Sequence, residues 1–176
     1  MPHSIDPLVR YLVEFYEDPT QITIWEPCHG EGGLTNPLKT AGFNVISTDL
    51  YTLPEHTSFI NCKDEDGVEH EECEVPEGVD LIITNPPFSY KNAFLERFYR
   101  LGIQTMVILP LDILGTKRDL ALLKENGFNL YMLPGASASS VFFNKEEGRA
   151  MSVGTCAWYG LWYIFQSFTP MLQDSV

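Results

Sequence analysis

Basic residues are scarce in this chain. Eleven Lys and Arg stand against 24 Asp and Glu among 176 residues, leaving a formal charge of −13 at neutral pH. That excludes a broad basic surface, the electrostatic footprint of a protein that binds duplex nucleic acid tightly and unaided. Cysteine is scarce too. The four present, Cys28, Cys62, Cys73 and Cys156, form no Cys-x-x-Cys pair, which argues against a disulfide framework and fits reduced thiols in a cytoplasmic setting. His56, Cys62, His70 and Cys73 lie close in sequence, yet their spacing matches no standard zinc pattern, so no metal is expected. Long apolar runs are missing as well. The most apolar segment, Ala157 to Phe168, is too short to cross a membrane, no secretory leader is expected, and no internal repeat is visible.

What remains is the composition of an ordinary globular domain, 44% hydrophobic, and a length that suits one domain over residues 1–176. The acid is partly local: Asp64 to Glu77 holds eight carboxylates and no Lys or Arg, a pattern expected of a solvated loop. Helical periodicity over Leu8 to Glu17 follows Asp6 and Pro7, which suit a cap and a first helical position. Strands are expected at Gln21–Trp25, Asn44–Thr48, Thr57–Cys62, Val79–Thr84, Thr105–Pro110 and Asn129–Leu133. Helices are expected at Leu34–Thr40, Asn92–Leu101 and Thr116–Asn126. After a small-residue stretch at 135–140, Val141–Phe143 and a segment from Met151 read as strands joined by a polar turn. Cys156–Phe165 reads as a long closing strand, and the last residues as a tail. Alternation of strands with helices predicts an α/β fold with a mostly parallel sheet.

Two stretches carry chemistry. The first strand runs into Glu26-Pro27-Cys28-His29-Gly30-Glu31-Gly32-Gly33, and the second ends on Asp49. Glycines after a first strand let backbone approach a ligand, and an acid closing the second can bind ribose hydroxyls. The third glycine of the pyrophosphate fingerprint is missing, and two carboxylates, Glu26 and Glu31, disfavour phosphate while suiting a cationic ligand. The second stretch is Asn85-Pro86-Pro87-Phe88, where two prolines stop an apolar run. Proline fixes its own φ and restricts the residue before it, so a stiff loop should present an amide, carbonyls and an aromatic ring at a strand's carboxyl end.

Glu26-Pro27-x-x-Gly30-x-Gly32, Asp49 and Asn85-Pro86-Pro87-Phe88, in that order, resemble class I S-adenosylmethionine-dependent methyltransferases. More narrowly, the chain is similar to the amino-methyltransferases that modify adenine N6 in DNA or RNA. The resemblance implies a Rossmann-like fold: a mostly parallel seven-stranded sheet, an antiparallel C-terminal hairpin, and helices on both faces. It implies S-adenosylmethionine as cofactor, with the Gly30–Gly33 turn passing under its methionine moiety, Glu26 near its amino group, and Pro27, Cys28, Gly30 and Gly32 among the residues that bind it. Asp49 would hold the ribose hydroxyls, Leu50 would pack on the adenine and Asp64 would reach its exocyclic amine. Pro2 to Pro7 would take the place of a cofactor-covering segment.

Asn85, Pro86, Pro87 and Phe88 would carry the catalysis. An exocyclic amine on an aromatic ring is a weak nucleophile because its lone pair is delocalised. Accepting its N–H groups at the Asn85 side-chain oxygen and the Pro86 carbonyl would free that pair, Phe88 would stack on the base, and positioning would do the rest. His29 is expected to line the turn, and Tyr90 and Lys91 to start the next helix. No separate target-recognition module is expected. Lys117 with Arg118, and Lys145 with Arg149, are the candidate phosphate contacts, so nucleic-acid binding should be weak or assisted by a partner, in a homo- or hetero-oligomer, as in a minimal phage-like enzyme. Two alternatives stand beside this one: N-methylation of a protein glutamine or another planar amine, and a non-catalytic binding subunit that keeps the fold.

Overall fold

The structure is a computed structural model that describes residues 5–131, 142–144, 149–151 and 156–161. Its centre is a six-stranded sheet. In chain order the elements are α1 (Asp6–Phe15), β1 (Thr23–Glu26), α2 (Thr35–Thr40), β2 (Asn44–Ser47), β3 (Cys62–Lys63), β4 (Glu69–His70), β5 (Leu81–Thr84), α3 (Lys91–Leu101), β6 (Gln104–Pro110), α4 (Lys117–Asn126), β7 (Phe128–Tyr131), β8 (Phe142–Asn144), β9 (Arg149–Met151) and β10 (Cys156–Leu161). The sheet runs β2-β1-β5-β6-β10-β7. β2, β1, β5 and β6 pair in parallel, and β10 lies antiparallel between β6 and β7.

The central strands carry apolar residues on both faces because helices cover both. In β5 all four side chains are buried. Leu81 and Ile83 join Ile24, Met106 and Ile108 against Leu8 and Leu12 of α1 and Leu38 of α2. On the other face Ile82 joins Trp25, Val107 and Leu109 against Phe94, Leu95 and Phe98 of α3 and Leu123 of α4. A side chain of this size, fully buried, contributes about 1.5–3 kcal/mol. Helix ends follow local chemistry with one departure from expectation. Thr116 caps α4 by accepting the Asp119 N–H at 3.1 Å, whereas Ile5 occupies the cap position of α1 and makes no side-chain bond there. Asp6 is instead the first helical residue, where its carboxylate still meets the positive end of the helix dipole.

The expected strand Thr57–Cys62 does not form. Within it Ser58 makes an isolated bridge to Glu72, and Cys62 pairs with His70 as the chain enters the short hairpin β3–β4, inside what was expected to be a solvated acidic loop. Two causes are visible. The Ser58 hydroxyl donates to the Ile60 carbonyl at 2.6 Å, a local bond that competes with sheet pairing. Arg97, 3% exposed on α3, donates to the carbonyls of Phe59 and Cys73 and sets its guanidinium 4.3 Å from the Phe59 ring centroid. A side chain thus does what a strand ladder would have done. The described residues therefore give six strands in the main sheet rather than seven. β8 and β9 pair antiparallel in a sheet of their own. The continuations of β7 to Leu133 and β10 to Phe165, the stretch 135–140, Lys145, the tail and residues 1–4 lie outside the described residues.

Because Arg97 satisfies one buried and one part-buried carbonyl, its replacement has a specific cost. Arg97→Leu should lower the unfolding free energy by about 2–4 kcal/mol, the scale of leaving these acceptors unpaired. A drop in the urea midpoint measures it.

Candidate active site

The winding of the sheet reverses between β1 and β5. From β1 the chain crosses through α2 on one face to reach β2, and from β5 it crosses through α3 on the other face to reach β6. Loops leaving two adjacent parallel strands in opposite directions open a crevice at their carboxyl ends. A cavity of about 490 Å³ occupies that place. Its walls are Pro27, Cys28 and Gly30 after β1, Asp49 to Thr52 after β2, Thr57 to Ile60 with Cys62, and Asn85 to Phe88 after β5 with Tyr90 and Phe94.

The glycine turn divides its labour. Gly30 has φ +53°, lines the cavity and donates its N–H to Asp49 Oδ2 at 2.9 Å. Gly32 has φ +78°, and a Cβ there would come within 2.7 Å of the Asn36 side chain. It is buried off the cavity wall, with its N–H on the His29 carbonyl at 2.9 Å, so it shapes the turn rather than admitting a ligand. Asp49 accepts two further N–H groups, from Tyr51 and Thr52, both at 2.8 Å on Oδ1. Burial pushes the Asp49 carboxyl up, but the three backbone donors, with the Thr52 side chain, outweigh burial and hold it below the usual 3.8. Asp49 is thus a fixed anion in the wall, and Oδ2, with one bond made, keeps capacity for a hydroxyl donor. Leu50 lies beside it in the same wall.

Glu26 is different. Its side chain is fully buried at the end of β1, behind the lining residues. Oε1 accepts the Cys28 N–H at 2.8 Å and the Thr84 hydroxyl at 2.6 Å, while Oε2 has no partner. Burial raises the carboxyl from 4.5 to about 8, the two donors pull it partly back, and the Asp49 charge adds to the rise. The neighbouring Cys28 thiol is also pushed well up, by burial first and by Glu26 second, which removes it as a thiolate nucleophile.

Across the crevice stands the proline loop. Asn85 is half-buried, Pro86 buried, Pro87 exposed and Phe88 half-buried, and the Tyr90 N–H closes the turn on the Pro87 carbonyl at 3.0 Å. Asn85 Oδ1 is buried without a hydrogen-bond partner, in a residue that lines the cavity. Unpaired buried acceptors are uncommon and costly. That of Asn85 belongs to a residue of the cavity wall, and that of Glu26 lies behind the wall at the end of β1; both are suited to N–H donors.

Other sequence candidates lie elsewhere. Asp64 lines a separate acidic pocket with Leu50, Tyr51, His56, Glu65, Asp66 and His70. Its oxygens are taken by the Asp66 and Val68 N–H groups and by His70 at 2.9 Å, chiefly the last of which holds its carboxyl below the usual range. His29 is not in the wall of this cavity; its Nδ1 lies 3.0 Å from the Thr35 hydroxyl. Lys91 starts α3 and pairs with Asp112 at 3.2 Å. Thr84 and the Phe59–Ile60 wall were not anticipated. A hydroxyl residue directly before Asn85 was the available sign of the first. Phe59 and Ile60 have the composition of strand residues, which conceals their place at the site.

No protein-family model matches the sequence, and no curated protein matches it. Solved structures do match the fold. A methyltransferase subunit of a type I restriction-modification system from Streptococcus thermophilus superposes with TM-score 0.53 at 14% identity, over 94% of this chain and 44% of that one. A Pyrococcus horikoshii protein assigned as an RNA methyltransferase gives TM-score 0.52 at 15% identity, over 89% and 82%. A T. thermophilus 16S rRNA N2 G1207 methyltransferase, solved with AdoMet and guanosine, gives 0.49 at 16%, over 93% and 43%. The chain thus spans less than half the length of the first and third. The first two likenesses establish a shared fold, that of Rossmann-like methyltransferases.

Glu26 makes stability depend on pH with a definite sign. A carboxyl whose folded value is raised stabilises the protein below its unfolded value of 4.5, and that contribution is lost as pH rises from there through about 8. The full span corresponds to at most about 4–5 kcal/mol. Wild type should therefore lose stability between pH 4.5 and 8 relative to Glu26→Gln, which has nothing to ionise there, in denaturation series run across that window.

Proposed function

We propose that the chain is an S-adenosylmethionine-dependent N-methyltransferase whose acceptor is an exocyclic amino group on a planar system, adenine N6 in DNA or RNA being the favoured case. The observation that carries this reading is the unpartnered Asn85 Oδ1 in the cavity wall. The same cavity is bounded by Gly30 and by an Asp49 that is ionised at neutral pH. The residues present fit the cofactor. Asp49 Oδ2 can take a ribose hydroxyl, Leu50 offers an apolar wall for adenine, and Glu26 Oε2 is a buried acceptor suited to an ammonium group.

Bound there, S-adenosylmethionine would supply an electrophilic methyl group on a sulfonium. The chain's own contribution is to prepare the nucleophile. Asn85 Oδ1 and the Pro86 carbonyl would accept the two amine N–H groups and withdraw the nitrogen lone pair from ring conjugation. Phe88 and the exposed Tyr90, both on the cavity wall, would hold the ring by stacking, which on aromatic side chains is worth about 1–3 kcal/mol per base. Pro86 and Pro87 keep those acceptors from following the ligand, so their dipoles are organised before reaction and little rearrangement remains. The proton released on transfer leaves to solvent, and no strong base is needed beside the amine.

A second reading has an observation of its own. Asp64, Glu65 and Asp66 line a pocket that shares Leu50 and Tyr51 with the cavity, and the chain carries −13. That charge is unfavourable to a polyphosphate and tolerant of a protein glutamine. Assays with labelled cofactor against DNA, RNA and protein pools separate the two. Calorimetry with S-adenosylmethionine addresses both at once: absence of binding removes every enzyme reading and leaves the non-catalytic subunit. Asn85→Ala should lower kcat by at least about a hundredfold, the scale of losing one preorganised polar contact to the reacting group. Cofactor Kd should stay within about threefold. Full activity in that variant would overturn the mechanism.

A further inference from the structure

Thr84 precedes the acceptor loop directly, and it is one of the few fully buried polar side chains among the described residues. The backbone ladder between β1 and β5 pairs Ile24 with Leu81 and Trp25 with Ile82. Past that point each strand runs on toward its own loop, Glu26 leading to the glycine turn and Thr84 to Asn85. Across the gap Thr84 Oγ1 donates a short bond to Glu26 Oε1 at 2.6 Å, and the Thr84 side chain is also hydrogen-bonded with the Cys28 thiol. Glu26 Oε1 accepts the Cys28 N–H as well, at 2.8 Å. One carboxylate oxygen therefore ties together the backbone of the turn on the cofactor side and the residue that aims the acceptor amide. Its other oxygen is buried and unpartnered.

Resting on the methyltransferase reading above, we propose that Thr84 is a positioning residue, and that with Glu26 it registers the loop Asn85–Phe88 against the turn Pro27–Gly30. A cationic ligand engaging Glu26 Oε2 would tighten that registration. The logic is electrostatic. A neutral carboxylic acid is a weak acceptor for a hydroxyl; a carboxylate makes a charge-assisted bond roughly twice as strong. An ammonium group beside Oε2 favours the ionised form, so its arrival strengthens the Thr84 bond and stiffens the chain leading into Asn85. The groups facing Glu26 act in the opposite sense: the Asp49 carboxylate disfavours its ionisation, and the Cys28 thiol is neutral. Among the described residues no Lys or Arg pairs with Glu26. The balance is simple: the neutral Glu26 acid and a ligand ammonium become a carboxylate–ammonium pair, and one proton passes to buffer. The raised value of about 8 for the ligand-free carboxyl means that most molecules hold that proton at pH 7.

The test uses the full chain and S-adenosylmethionine as the probe. Titrations at pH 7 in buffers of differing ionisation enthalpy should show release of between about half and one proton per cofactor bound, the range set by a carboxyl near 8 that ionises on binding. Glu26→Gln should show close to none. Hydrogen exchange supplies a readout independent of any acceptor. In wild type, cofactor should slow exchange in residues 27–33 and also in 84–94. Thr84→Val, which keeps the shape and removes the hydroxyl, should retain the first protection and lose at least half of the second, and Thr84→Ser should restore it. Binding with no proton released, or with loop protection unchanged in Thr84→Val, overturns the inference and leaves the methyltransferase reading standing. A folded wild type that binds no cofactor overturns both.

Discussion

The reversal of winding between β1 and β5 is the constraint on which the rest of this molecule depends. It forces two loops apart at a buried sheet edge, and the polar groups there must be satisfied by each other or by something that enters. Trp25, Ile82 and their neighbours exclude water from beneath the crevice, so Glu26 sits where a carboxylate is expensive. The structure meets that cost halfway. Thr84 and the Cys28 N–H satisfy Oε1, and Oε2 is left over. An orphaned buried oxygen costs about 1–3 kcal/mol, which an apolar residue in its place would avoid. Such an arrangement belongs at a site whose geometry is used for something besides stability.

Two carboxylates at this end of the sheet, one in the cavity wall and one behind it, are driven to opposite states by their surroundings. Asp49 collects N–H groups from Gly30, Tyr51 and Thr52 and is held ionised. Glu26 collects two donors but lies deeper, and burial wins, lifting it to about 8. The difference is one of solvation rather than of residue type, and it separates a permanent anion from one whose charge depends on what sits beside it. That separation also refines the expectation that the two acids at the glycine turn simply attract a cation. Glu31 is exposed and Glu26 largely neutral at pH 7, which leaves Asp49 as the standing negative charge in the wall.

Much of this was legible in the residues. The apolar runs ending at Trp25, Thr84 and Pro110 are strands covered on both faces, and runs without polar alternation signal that arrangement. The glycine turn, Asp49 and the proline loop meet at one cavity because each follows or ends a strand of the same parallel sheet. What sequence periodicity could not reveal was long-range. Thr57–Cys62 has strand composition, but its pairing is pre-empted by the Ser58 hydroxyl and by Arg97, about forty residues further on. Thr84 looked like the last residue of a strand; its partner Glu26 is 58 positions away. Asp64 stood in an acidic run with several equivalent neighbours, and only the hairpin β3–β4 shows that its oxygens serve its own loop and His70. Gly32 illustrates the opposite case, a motif residue whose requirement is local to the turn.

The charge distribution bears on how an acceptor could reach Asn85. Lys63, near the cavity mouth, is paired with Glu69 at 2.8 Å, and Asp64, Glu65 and Asp66 follow it. Arg118 of α4 is paired with Glu96 at 3.3 Å, its side chain still mostly exposed. Exposed pairs of this kind contribute little to stability, but they do cancel the cations a polyphosphate would seek. At physiological ionic strength charges are felt over about 8 Å. An acceptor that entered along its phosphates would therefore meet acid first, whereas one that offered a neutral ring or amide at the mouth would meet Tyr51, Tyr90 and Phe88. Under the proposed function the acceptor is thus selected by the shape and hydrogen-bonding of the group presented, with its charged backbone held away from the rim or supported by a partner.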